Sequence, residues 1–404
     1  MIDLLGFASI CLVSLITLFI TFLSPGISRI LFAALAVRIL FLLIGHYIVT
    51  LPGNTSDAVG FEIKAWELSQ EGFFYLFEKF RFDPFTLFSW FHAIPYSLFG
   101  RSALMGQSIS LLFGIGVVFL GYKLSYSLWN KSAANKVGWI LALFPSLILF
   151  SVSFLREIYI CFFLLLALCG VVDWVKTDRF KSMILALIGF MGATLLHGAM
   201  LLGAVVFLTI FGIKNLKKSF KLLINFRINI KNLMFITFFL FSLGLYLSNR
   251  IEVPYLGNFK YSTDASVLLE KTNFAFAGDA TWPEWTKAKT PIELIYKAPL
   301  RSVYFVFSPF PWDVKKIEHL LGMFDGILYI YLVFLIICNI KIIWRDPALR
   351  TILIILLSYI FIFGFGVGNF GTGIRHRAKF SFMFIILAAP LIKKIVFLKP
   401  KKFK

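Results

Sequence analysis

Cysteine is scarce in this chain: only Cys11, Cys161, Cys169 and Cys338 occur, and all four fall inside apolar runs. No disulfide framework and no zinc-ligand spacing can be built from them. There is no P-loop and no strand-borne dinucleotide fingerprint, which removes the common nucleotide-dependent classes. Internal repeats and low-complexity tracts are missing as well, which argues against an inverted-repeat transporter. Charge is sparse at 15% Asp, Glu, Lys and Arg, and the acids, 20 against 40 basic residues, are the rarer sign. Soluble domains carry about 25% charged residues. With 59% hydrophobic residues and a mean hydropathy of +0.87, a soluble protein is excluded.

What is present is a series of apolar runs long enough to cross a bilayer, which takes about 20 residues. They lie at 4–23, 30–49, 104–122, 137–155, 157–175, 183–196, 198–213, 232–248, 321–342, 350–368 and 379–398. The pattern predicts an all-α, polytopic transmembrane helix bundle of about 11 spans forming one integral membrane domain over 1–404. The run 85–99, interrupted by His92 and Pro95, reads as a re-entrant or interfacial segment. The N-terminus lacks a basic n-region, so 4–23 is expected to be a retained helix.

Basic residues fall on alternate connections. Arg29, Lys123, Lys131, Lys136, Lys176, Arg179, Lys181, Lys214 to Lys231, Lys341, Arg345, Arg350 and the tail from Lys393 make 22 of the 40. Short loops that keep Lys and Arg stay in the cytoplasm. The expected topology therefore has the N-terminus outside and the C-terminus cytoplasmic in a bacterial inner membrane. The net charge of +20 is then a topology signal, and no nucleic-acid partner is expected.

Two long outer loops are predicted, 51–103 and 249–320. In the first, Asn54, Thr55 and Ser56 supply cap residues, Gly72 a stop, and Val59, Ile63 and Trp66 an apolar stripe. This predicts an interfacial helix with its apolar side toward lipid or the bundle. The second mixes aromatics with prolines around Phe307 to Trp312 and suits a lid at headgroup depth.

Candidate chemistry collects on the outer side. Asp57 can serve as a general base or orient an acceptor hydroxyl; its plain role is a first-turn acid worth about 0.3–1 kcal/mol. Glu62 is a further candidate for substrate contact beside its role as a solvated face. Arg156-Glu157 occupies a very short link, where the guanidinium either snorkels to headgroups or holds a lipid phosphate. His197 sits at the turn of the 183–213 hairpin and is a core histidine or a substrate contact. In Gly364 to Arg377, five glycines precede Arg375, His376 and Arg377. Glycines can form anion-accepting nests, so phosphate binding is the expectation, with headgroup anchoring that includes Lys379 as the alternative. Arg38, mid-span, is expected to pair inside the bundle.

Three stretches carry a family likeness: Gly53-Asn54-Thr55-Ser56-Asp57-Ala58, then Tyr96 to Ser102, then Phe144-Pro145-Ser146 with Phe154-Leu155-Arg156-Glu157. They resemble the C-type, protein-mannosyltransferase-like integral-membrane glycosyltransferases. The block Gly371 to Arg377 is similar to bacterial repeat-unit polymerases of polysaccharide assembly. The resemblance implies inverting transfer from a polyprenyl-phosphate (undecaprenyl-linked) saccharide to a saccharide acceptor at the extracytoplasmic face. Asp57 would match the family's loop-one acid, and Arg156, Arg375, His376 and Arg377 would hold the carrier phosphate. Membrane lipid and polysaccharide assembly proteins are the further expected partners. Asp57 has no acidic neighbour, so no metal or other cofactor is expected. A transporter or flippase for a lipid-linked saccharide is the alternative from another class.

Overall fold

Side-chain caps mark where the apolar runs become helices. In the computed structural model the residues described are 3–54, 56–78, 84–224, 264–274 and 280–393, with isolated positions at 80, 244, 247, 248 and 250. The expected span at 232–248 and the basic tail beyond Lys393 fall almost wholly outside them. Asp3 caps α1 (Leu4–Leu23), Ser102 caps α6 (Ala103–Leu128), and Asn130 caps α7 (Lys131–Leu143). Between α1 and α6 lie α2 (Ser28–Tyr47), α3 (Ser56–Ser69), α4 (Phe73–Glu78) and α5 (Pro84–Phe99). Pro145 opens α8 (Pro145–Ser151), followed by α9 (Glu157–Thr177), α10 (Phe180–Leu196) and α11 (Leu201–Ile224). After α12 (Ala265–Phe274) come α13 (Pro291–Phe307), α14 (Ile317–Cys338), α15 (Ile340–Arg345) and α16 (Pro347–Gly366). The chain ends in α17 (Phe370–Ala378) and α18 (Ser381–Ala388). Among the described residues there is no strand, and Thr281 and Asn369 form an isolated bridge.

Among the described residues six helices are long and apolar enough to cross a membrane: α1, α2, α6, α9, the one beginning at Gly198, and α16. Helices α7 and α8, bent by 57° at their break, pass the same test only as a pair, as a broken span or a re-entrant loop. Helix α10 and the stretch Gly322–Cys338 are apolar but shorter. The expected count of about 11 is therefore not reached among the described residues.

The last expected span, 379–398, is described only as far as Lys393, and among the described residues no helix long enough to cross a membrane is found there. Helix α18 has only eight residues, and Phe380 to Ala389 are almost completely enclosed. Phe380 stacks on Tyr359 in the middle of α16, and the Ile386 carbonyl accepts from Trp129 at the end of α6. Helices α17 and α18 together pack into the bundle, and the Arg-His-Arg block, expected in a loop, falls on α17.

Helix α3 forms as expected. It buries Ala58, Phe61 and Ala65 against α5, where Phe88 and Tyr96 meet it, and leaves Val59 and Ile63 exposed. Helix direction sorts the charges by end. Lys176 bonds to Ser127, Lys214 pairs with Asp178 at 3.2 Å, and Lys136 reaches the Pro390 carbonyl, all at one end. Asp57, Glu157 and Arg375 lie at the other.

Three fully buried arginines hold this bundle at its breaks. A carbonyl without a partner costs several kcal/mol in an apolar bundle. Pro145 has no N–H for the Leu141 carbonyl, and Arg38 donates to it at 3.2 Å and to Ala142 at 2.8 Å. Arg301 donates to the Gly364, Phe365 and Val367 carbonyls at the end of α16. Arg377 does the same for Val306 and Ser308 at the end of α13. Each guanidinium is also a cation placed at the negative end of a helix.

Candidate functional site

Two helix starts and one helix in the bundle interior bring the site together. Asp57 lies in the first turn of α3, and Glu157 is the first residue of α9. Arg375, on α17, reaches both. Its Nη1 is 2.5 Å from Asp57 Oδ2, and its Nη2 is 2.9 Å from Glu157 Oε1, with Nε at 3.1 Å from the same oxygen. Glu157 is 2% exposed, and its Oε2 is buried with no hydrogen-bond partner; Asp57 is open to solvent.

Around this triad stand the other basic groups. Arg156 and Lys379 act electrostatically on Glu157 along with Arg375. The Arg156 guanidinium lies 5.5 Å over the Phe61 ring. His376 Nδ1 is 2.7 Å from Lys379 Nζ, and its ring meets that of His197 edge-on at 5.1 Å. Burial, and then the charges of Lys379, Arg156 and Arg375, hold His197 well below its ordinary range, so it is neutral. In formal charge Arg156 and Arg375 equal the two carboxylates, and Lys379 is buried beside them.

Beside the triad opens a cavity of about 790 Å³. Asp57 and Arg375 line it together with Gly53, and Pro145, Leu149, Phe150 and Ile374 make apolar walls. Phe324, Ile327 and Leu328 of α14 form a wall that is itself exposed at the bundle surface. Gly53 has φ +91°, a backbone conformation that side chains rarely adopt, so the turn at the cavity wall favours glycine. Asp325 and Ser146 also line the cavity, and both are buried.

Of the residues singled out in sequence, Asp57, Arg156, Glu157, His197, Arg375 and His376 converge. Two do not join them. Glu62 is taken by Arg101 at 2.7 Å and by the Tyr96 hydroxyl at 3.2 Å, away from Arg375 on α3. Arg377 is fully buried and engaged by Asp325 at 3.0 Å and by the Val306, Ser308 and Gly322 carbonyls. Its donors therefore point into the fold. The expected glycine nest is not formed either. Among the described residues the glycines at positive φ are Gly53, Gly72 and Gly100, none of them in 364–373. Asn369 accepts from the N–H groups of Gly371 and Thr372. Gly364 serves packing instead: a Cβ there would lie 2.6 Å from Ser302 Cα of α13.

Ala280 and Trp282, in the stretch expected to be the second outer loop, reach this region. Trp282 donates from its backbone N–H to the Gly368 carbonyl, and Phe370 to that of Ala280, both at 2.9 Å. Asp325 was not singled out in sequence, although a lone acid in an apolar run is the usual mark of a functional position. The chain matches no family model, no curated protein and no solved structure.

Proposed function

We propose that the protein is a membrane glycosyltransferase that moves a saccharide from a polyprenyl-phosphate carrier to a saccharide acceptor. It works in envelope polysaccharide assembly, in a bacterial inner membrane, with its site at the extracytoplasmic face. Repeat-unit polymerisation is the favoured form of the reaction, on the likeness of residues 371–377. One observation carries the reading: Arg375 is shared between Asp57 and Glu157 at a cavity with apolar walls. Such a cavity suits a ligand that is apolar along its length and anionic at one end.

The arrangement supplies a sequence of events. The carrier phosphate approaches Arg375, with Arg156 beside it, and competes with Asp57 for the guanidinium. Glu157 keeps Arg375 in place through the exchange. Asp57, released, accepts the proton of an acceptor hydroxyl as its oxygen bonds to the anomeric carbon. The bond from that carbon to the phosphate oxygen breaks, and the electron pair leaves on the phosphate. Arg375 is positioned to stabilise that growing charge. The site as drawn uses no group beyond these side chains.

The test is reconstitution in lipid vesicles with an undecaprenyl-linked saccharide and an acceptor. Extension of the acceptor by wild type, and its loss in Asp57→Asn with donor binding intact, is the expected result. A wild-type protein that binds such a carrier and never transfers its saccharide removes the enzyme reading.

A further inference from the structure

Two indoles stand outside the phosphate site, at the same end of the bundle. Trp285 is 55% exposed and Trp312 is 69% exposed. Each is the middle residue of a short 3-10 turn, Glu284–Thr286 and Pro311–Asp313, and each turn is entered through a proline. Both lean on Tyr304 of α13, which is buried. Trp285 meets the Tyr304 ring edge-on at 5.5 Å. Phe310 meets it edge-on at 5.1 Å and carries Trp312 stacked upon it at 4.9 Å. The Trp312 side chain also reaches the Tyr304 hydroxyl. Proline fixes φ at each turn and the tyrosine backs both rings, so the indoles are set in place before a ligand arrives. Groups held in this way lose little freedom on binding.

Their surroundings separate them from the lipid-facing surface. The exposed apolar residues of α13 are Ile292, Ile295, Tyr296, Leu300 and Val303, a stripe along one side of the helix. Tyr304 lies about a third of a turn away from the middle of that stripe, at 3.6 residues per turn. The chain beside the indoles is polar: Glu284 and Lys289 flank Trp285, and Lys315 and Lys316 follow Trp312, all exposed. The indoles are also continuous with the site. Just before the first turn, the Trp282 N–H donates to the Gly368 carbonyl and the Phe370 N–H to that of Ala280. Beyond the second turn, the His319 ring meets that of Phe370 edge-on at 4.7 Å. The next residue, Gly371, lines the cavity with Arg375.

An open indole face beside polar groups suits a sugar ring. A pyranose carries C–H groups on its faces and hydroxyls around its rim. Laid on an indole, one such face leaves water, and its polarised hydrogens meet the electron-rich ring. The hydroxyls stay turned toward water and the charged neighbours. We infer that Trp285 and Trp312 form a stacking platform for the acceptor saccharide beside the cavity that takes the carrier. The inference rests on the glycosyltransferase reading and adds where its second substrate is held.

The probe is the lipid-free saccharide that mild acid releases from the undecaprenyl-linked saccharide of the transfer assay. It is titrated into the full-length protein in phosphatidylcholine nanodiscs, and a second set of discs is made with brominated phosphatidylcholine. Wild type is expected to bind the saccharide with a change in tryptophan fluorescence. Trp285→Ala and Trp312→Ala should each weaken that binding by about tenfold, the effect of uncovering a few tens of Å² of apolar surface. Each should raise the acceptor KM by a similar factor and leave carrier affinity unchanged, with monodisperse elution showing that the fold is kept. Quenching by brominated lipid should be equal in wild type and in the double variant. Unchanged saccharide affinity and acceptor KM in the double variant overturn the platform, and lost lipid quenching there would make the two indoles membrane anchors. A wild type that does not bind the free saccharide overturns it as well. If the platform fails in a protein that still extends its acceptor, the glycosyltransferase reading stands; a wild type that transfers nothing removes that reading by itself.

Discussion

Asp57 Oδ2 lies 2.5 Å from Arg375 Nη1, so the group proposed to take a proton is held by the group proposed to hold phosphate. The two roles exclude each other until an anion arrives, and this couples donor binding to base release. Asp57→Asn should therefore separate them. Transfer is expected to fall by about 10²–10⁴, the usual contribution of a positioned base. Carrier affinity should hold or rise, because Arg375 loses its competitor. Parallel transfer and binding titrations read both, and a loss of affinity matching the loss of rate would contradict the coupling.

A second prediction concerns Glu157. It is almost wholly buried, and Arg375 is its direct partner. Removing one member of a buried pair costs about 3–5 kcal/mol, because the other charge is left uncompensated. Arg375→Ala should lower thermal stability and weaken carrier binding. Adding Glu157→Gln should restore much of the stability and none of the binding. Melting curves and binding isotherms on the single and double variants check this, and joint recovery would place Arg375 outside the phosphate site.

The sequence made several of these features visible for a physical reason. Asp57, Arg156 and Arg375 stood out because charge at an apolar boundary expected to lie outside has no topological use. Helix α3 was legible from its cap and stripe, and the break at Pro145 came inside an expected span. Other features were hidden by pairing. Arg375, His376, Arg377 and Lys379 lower the hydropathy of their segment, so the last expected span was placed after them. In the fold, Glu157, Asp325 and backbone carbonyls satisfy three of these four side chains among the described residues, so they enter the bundle. Arg377 looked like Arg375 because spacing of two residues says nothing about which partner each will find. Asp325 was masked by the apolar run around it.

The third prediction separates those two arginines. Arg377 donates to three carbonyls and a carboxylate, a fork that an ammonium cannot reproduce. Arg377→Lys should therefore lower expression of folded protein and melting temperature, as should Arg377→Ala. Arg375→Lys should fold normally and lose only part of its carrier affinity. Fluorescence-detected size-exclusion profiles distinguish the outcomes. A well-folded Arg377→Lys variant with weak carrier binding would return Arg377 to the phosphate site.

The last prediction tests sidedness. Thr372 is exposed near the start of α17, and Ser132 is exposed in the first turn of α7, at the opposite end of the bundle. Cys11 and Cys338 lie at the surface of the bundle, so both are first replaced by serine to leave no competing thiol there. In that background Thr372→Cys should label on intact cells with a membrane-impermeant maleimide, and Ser132→Cys only after permeabilisation. The expectation follows from charge: Lys131, Lys136, Lys176, Arg179 and Lys214 gather at the Ser132 end, the sign and place of residues retained in the cytoplasm. A polyprenyl-linked saccharide destined for the envelope is used on the far side of the membrane. Labelling of Ser132→Cys alone on intact cells would put Asp57 and Arg375 on the wrong side for that substrate, whatever their geometry.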